Sequence, residues 1–246
     1  MLVLVLRLTI LSTAFLIPQF LVTVRGFRTF EVGQALVWIA LPQLATASLA
    51  AIMLRRFDSR VTASAGLIAV AAACWLVGTG LTVQWGPQQF LPTQLLQSLG
   101  QTLALSGVVF TSVQHMKPDA ALTFGGMIQT ARLMGGEVGL AATATFVRIR
   151  EQRASSLIGQ HVEAGDPDVV ARLQAYAGSF SQSSPSASSS RALAVLARGV
   201  RQAADLQSCI DGFLAISLVA TSALVLLLVI GRAPAGPASP PKRDRS

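Results

Sequence analysis

The chain has 246 residues, 52% of them hydrophobic and only 12% charged, with a formal net charge of +8. Soluble domains carry about twice that charged share, so the composition excludes the soluble globular class and fits a polytopic, all-α membrane protein. The positive charge does not point to nucleic acid: the basic residues fall in short loops, one long loop and the C-terminal tail, with no stripe of interleaved aromatics, and membrane topology accounts for them.

The first apolar run covers residues 2–24 and is interrupted by Arg7. It continues through Pro18 and Gln19 without the basic start and small-residue cleavage site of a signal peptide, so it reads as a span. After a loop at 25–31, a second span covers 32–54 and carries Gln34, Trp38, Pro42 and Gln43. Pro42 lacks a backbone donor and should kink or loosen the helix. Gln34 and Trp38, four residues apart, share a face that either looks into a substrate cavity or forms an interfacial belt. The loop at 55–60 reads RRFDSR, and Arg55, Arg56 and Arg60 around Asp58 mark it as cytoplasmic under the positive-inside rule.

The alanine-rich third span covers 61–83 and leads into a turn at 84–89 that holds Trp85. The fourth span, 90–113, places Gln94, Gln97 and Gln101 on one helical face. Amides facing lipid are costly, so this row predicts a substrate cavity or, alternatively, hydrogen bonds between helices. A short loop at 114–119 contains His115 and Lys117.

The fifth span, about 122–152, is the most informative because Arg132 and Glu137 interrupt it. A mid-membrane charge costs at least about 2.5 kcal/mol, so each is expected to face a partner helix or water; the alternative is a snorkelling or structural ion. The two lie about 140° apart around the helix and should not pair with each other. Ala131, Gly135, Gly139 and Thr143 recur every four residues as a strip for close helix packing, with Gly136 beside it.

An extramembrane segment at 148–207 is expected to hold amphipathic helices, a turn at 165–168 and a flexible serine-rich linker at 179–190. A sixth span, 208–231, begins near Asp211, which sits close to the interface and can cap the helix. The proline-rich basic tail, 232–246, reads as disordered and cytoplasmic. The division is therefore 1–147, five spans; 148–207, outer loop; 208–231, sixth span; 232–246, tail. Alternation puts both termini in the cytoplasm, although Arg148, Arg150 and Arg153 then sit on the outer side, which long translocated loops tolerate. Cys74 and Cys209 have no metal spacing and read as packing residues, His115 and His161 form no cluster, and no constellation for enzyme chemistry or a cofactor is present.

Several motifs in order resemble the C-terminal half of the EmrB/QacA-type drug:proton antiporters of the major facilitator superfamily. They are Ile17-Pro18-Gln19-Phe20 followed by Gly26-Phe27-Arg28, then Leu41-Pro42-Gln43, and the RRFDSR loop. The strongest is the stretch from Ala131 to Gly139, similar to that family's Arg-x-x-Gly-Gly-x-x-Gly element; Arg201-Gln202-Ala203 and Asp211-Gly212-Phe213 fit its last external loop. The antiporter motif and acidic residue of the family's N-terminal half are not present, and Met1 inside a span points to a truncated product or a start assigned within a longer frame.

The resemblance implies a bacterial inner-membrane protein with six helices forming half of a major facilitator fold. It implies proton-coupled efflux of amphipathic organic compounds, with Glu137 exchanging a proton, Arg132 holding a carboxylate or carbonyls, and Asp211 as a weaker proton-coupling candidate. The implied partners are lipid, substrate, protons, and an N-terminal transporter half or a periplasmic adaptor. The competing reading is a non-transporting scaffold that binds a partner through its outer loop.

Overall fold

The computed structural model describes residues 2–114, 121–160 and 185–229. These form six helices and no strands: α1 Leu2–Thr23, α2 Thr29–Arg56, α3 Ser59–Gly80, α4 Leu91–Gln114, α5 Ala121–Gln160 and α6 Pro185–Val229. Four of them, α1, α2, α3 and the 197–229 part of α6, are long and apolar enough to cross a membrane. The glutamines of α4 and the Arg132 and Glu137 of α5 hold those two helices below that mark. His115, Lys117, His161, the turn at 165–168 and the tail at 232–246 lie outside the described residues.

The first four helices begin and end within a few residues of the expected spans. The later part of the chain differs. No break occurs at 147/148, because α5 runs on to Gln160. Residues 185–190 of the serine-rich stretch, the amphipathic segment and the last span form one continuous helix of 45 residues. Neither Gly nor a second Pro interrupts the run before Gly199, and its apolar C-terminal half supplies the packing that low local propensity does not. Pro18 and Pro42 both lie inside helices, each leaving one carbonyl of the preceding turn without its usual donor.

Small residues set how closely the helices approach. A side chain at Gly66, Gly100 or Gly107 would collide with the backbone of the opposite helix, so α3 and α4 touch main chain to main chain. That proximity replaces the hydrophobic drive that lipid removes. The same logic joins α1 to α5 in parallel: Gly135 lies against Leu4, Gly136 against Leu11 and Gly139 against Leu8. The Thr143 hydroxyl then donates to Ser12 at 2.6 Å.

Bonds at the two ends fix the helix directions. Arg25 donates to the Val83 carbonyl at 3.2 Å, and Gln202 to the Val24 carbonyl at 2.7 Å. At the opposite end, Arg60 donates to the Leu227 carbonyl at 2.7 Å, satisfying an orphan acceptor of the last turn of α6. Phe20, Trp85 and Phe90 stack edge to face at the first of these ends, hereafter the Trp85 end. The second is the Arg60 end.

The pairing of helices has an internal regularity. Exchanging α1 with α4, α2 with α5 and α3 with α6 carries the contact α1–α5 onto α2–α4 and α3–α4 onto α1–α6. It also carries α5–α6 onto the thinner α2–α3 contact and leaves α3–α6 and α1–α4 unchanged. The correspondence is uneven: α3–α4 packs more extensively than α1–α6, α5–α6 far more than α2–α3, and the small α1–α2 contact has no counterpart of its size among the described residues. Because α1 ends and α4 begins at the Trp85 end, the exchange inverts helix direction.

Candidate functional site

Helix α4 links two open crevices. At the Trp85 end, Arg25, Gln34, Trp38, Leu91 and the 84–89 turn line a crevice of about 440 Å³. Gln34 and Trp38 are both exposed there, so the face they share does line a concavity, at the mouth of the bundle rather than at mid-depth. Toward the Arg60 end, Leu54, Leu105, Ser106, Val109, Phe110, Val113 and Arg132 line a second crevice of about 380 Å³.

Between Leu91 and Leu105, about 21 Å along the helix, the buried face of α4 is polar. Gln94 is wholly buried, and neither atom of its amide has a hydrogen-bond partner. Gln97 Nε2 and the Ser98 hydroxyl are also buried without partners. By helical geometry Leu91, Gln94, Ser98, Leu105 and Val109 fall within about 60° of one another, with Gln97 and Gln101 flanking them. This face of α4 therefore lies between the two crevices, with Leu91 lining one and Leu105 and Val109 the other. Gln101 differs from its neighbours: it accepts from Gln43 Nε2 at 3.2 Å, while Thr46 donates to Thr102 at 3.0 Å, and the two bonds clamp α2 onto α4. Thus Gln101 makes the interhelix bond that was the alternative to a cavity, whereas Gln94 and Gln97 keep unspent hydrogen-bonding capacity. Buried amides of this kind bond internal water or a polar group that passes.

Other hydroxyls in the spans are satisfied, either across helices, as Ser12 and Thr143 are, or locally. Thr9 and Thr13 donate to the carbonyls of Val5 and Thr9 one turn back, at 3.0 and 2.7 Å. The contrast leaves Gln94, Gln97 and Ser98, with the Nε atoms of Arg7 and Arg132, as the unpartnered buried groups among the described residues.

Arg132 and Glu137 separate as their spacing implies, and no ion pair joins them. Arg132 is half-buried in the second crevice. It lies nearer the Arg60 end than mid-bundle, because the part of α5 that follows α1 in register begins only at Gly135. Glu137 is exposed on a face of α5 shared with exposed Leu133, Met134 and Val138. Asp211 is no helix cap, since α6 begins far upstream; it accepts from Gln207 and pairs with Arg150 at 3.3 Å, tying α6 to α5. Arg150 also lies over the Phe146 ring. Gly135, Gly136 and Gly139 are occupied in the α1 contact. Arg55, Arg56 and Asp58 are exposed at the Arg60 end, where Arg60 is spent on Leu227. Cys74 and Cys209 are free and buried in one apolar cluster, and no group of His, Cys, Asp and Glu fit for a metal exists among the described residues.

Two participants escape a reading by motif. Ser98 gives no signal in sequence beyond its place beside Gln97. Arg7 is visible as the lone charge of its span, but that its Nε is buried without a hydrogen-bond partner is not. No family model matches the chain, and no curated protein matches it either.

Proposed function

We propose that the chain forms one six-helix wall of a proton-coupled carrier that exports amphipathic organic compounds across a bacterial inner membrane, with the Arg60 end cytoplasmic. The observation that carries this reading is on α4: buried, partnerless amides and a hydroxyl at Gln94, Gln97 and Ser98 lie between a crevice at one end of the bundle and a crevice at the other. A wall that alternately wets from either side needs polar groups whose bonds are exchangeable, and apolar crevice walls suit an amphipathic cargo. The helix-exchange regularity supports the same reading, since carriers built from inverted repeats bind substrate where the repeats meet.

In this reading all six helices span the membrane, and a second body covers the open flank. Glu137 supports that arrangement: a carboxyl beside Leu133, Met134 and Val138 is costly against hydrocarbon and far less so against protein or a wet seam. There it can take up and release the coupled proton. Gln94 and Gln97 meet the cargo's polar groups, Gln34 and Trp38 meet it at the mouth, and Asp211 holds α5 to α6 rather than carrying protons.

Ethidium accumulation in cells expressing the chain alone, or with the N-terminal half of a fourteen-helix antiporter, tests the proposal. Accumulation should fall in at least one arrangement. Gln94→Leu with Gln97→Leu should restore it without loss of membrane abundance, because removing buried unsatisfied amides does not weaken packing. Accumulation unchanged in both arrangements would end the carrier reading.

A further inference from the structure

We infer that the crevice at the Trp85 end binds a compact aromatic carboxylate, its oxygens on the Arg25 guanidinium and its ring against Trp38. The lining sets the sign of the ligand. Arg25 supplies the one charge among the described residues that line the crevice, and no Asp or Glu joins it. Glu31, the one acid of α2, is turned back to accept from the Arg28 backbone N–H at 2.9 Å. Arg25 is also held in place. Its Nη1 donates to the Val83 carbonyl at 3.2 Å, and the group lies over the Phe27 ring, 5.4 Å from the centroid. That leaves the Nε–Nη2 edge of the fork, whose planar pair of donors matches a carboxylate.

Around this fork stand donors without a protein partner. The side-chain amides of Gln34, Gln84 and Gln88 bond to nothing among the described residues. Gln89 spends its oxygen on the Gly86 N–H at 2.8 Å, so what it has left to offer is its NH2. Trp38 adds a ring that is 47% exposed. Pro87 and Leu91 are the other apolar side chains of the lining, too few to seat an acyl chain, so a small ring fits where a lipid does not. About 440 Å³ lies within the usual range for small ligands. The inference rests on the carrier reading only in taking this crevice as a mouth; binding there is measured without transport.

The test uses the full chain purified in detergent and equilibrium dialysis with three probes that share one ring system: 2-naphthoate, 2-naphthol and 2-naphthylmethylammonium. Naphthoate should bind at least about tenfold more tightly than the neutral and cationic probes, and Arg25→Gln should remove that preference. Trp38→Leu should weaken all three by about fivefold and keep their order. Arg56→Gln, at the other end, should change nothing. Because Arg25→Gln also loses the bond to Val83, Gln88→Leu serves as a second variant. Its exposed amide holds no protein partner, so naphthoate binding should weaken by about threefold with the unfolding temperature unchanged. Equal binding of the three probes would overturn the proposal, as would equal naphthoate binding by the parent chain and Arg25→Gln, or displacement of naphthoate by an equal concentration of phosphatidylglycerol. Naphthoate bound by a chain that exports nothing upholds the site and ends the carrier reading; export without naphthoate binding does the reverse.

Discussion

Helices α2 and α3 are nearly equal in hydropathy, 1.8 against 1.9, yet the chain buries 50% of the apolar window of α3 and 6% of that of α2. Mean hydropathy tells which helices leave water. It does not tell which are covered by protein and which by something else. The difference lies in residue size and in polar partners. The α3 helix offers Gly66 and Ala63 to the α4 backbone and accepts Ser217 of α6 at the Ala71 carbonyl. The α2 helix turns Val37, Leu41, Leu44, Leu49 and Ile52 outward and is held to α4 by two side-chain bonds. Helix α5 shares this open character on the face that carries Glu137.

This contrast can be broken first where it is steepest. Gly100→Leu forces a side chain into the Gly66 carbonyl and Val70, where no flexible atom can yield. It should cost roughly 3 kcal/mol or more and abolish the monodisperse peak in size-exclusion chromatography. Glu137→Gln, on the open flank, should leave that peak untouched while ending ethidium efflux in the complete carrier; unchanged efflux would remove Glu137 from the mechanism. Smaller effects sharpen the boundary between the two regions. Ser12→Ala removes two α1–α5 bonds, the one it accepts from Thr143 and the one it donates to the Gly139 carbonyl, and should cost about 1 kcal/mol, roughly twice the typical value for one bond between membrane helices, seen as a lowered denaturant midpoint. Leu41→Ser with Leu44→Ser should shift the midpoint of the isolated chain by no more than about 0.5 kcal/mol. Arg150→Gln should cost less than about 1 kcal/mol, an effect that high salt erases because the pair is half-exposed.

The positions of the first four helices are legible because apolar runs and tight turns such as RRFDSR are local signals. The glycine strip of α5 was legible for the same reason, since four-residue spacing defines a face without reference to a partner. The continuity of α6 was hidden, because serine-rich composition argues for a linker while the packing that sustains the helix comes from its distant apolar half. The glutamine row could be placed on one face but not divided. Only the nearness of Gln43 distinguishes Gln101 from Gln94, and that is a long-range fact. The level of Arg132 in the bundle is a long-range fact for a comparable reason: a 40-residue helix has no intrinsic midpoint, and its register against α1 sets the level.

The unbroken run of α6 also makes the protein a natural pointer. From Leu227, gripped by Arg60, to Gly199 is about 42 Å of continuous helix. A tilt of about 10° within the bilayer would sweep the far position through roughly 7 Å, well within reach of spin-label distance measurements. Gly199 has open space around it, and both native thiols are buried, so a reporter attached at Gly199→Cys would read a tilt of α6 from outside the packed bundle.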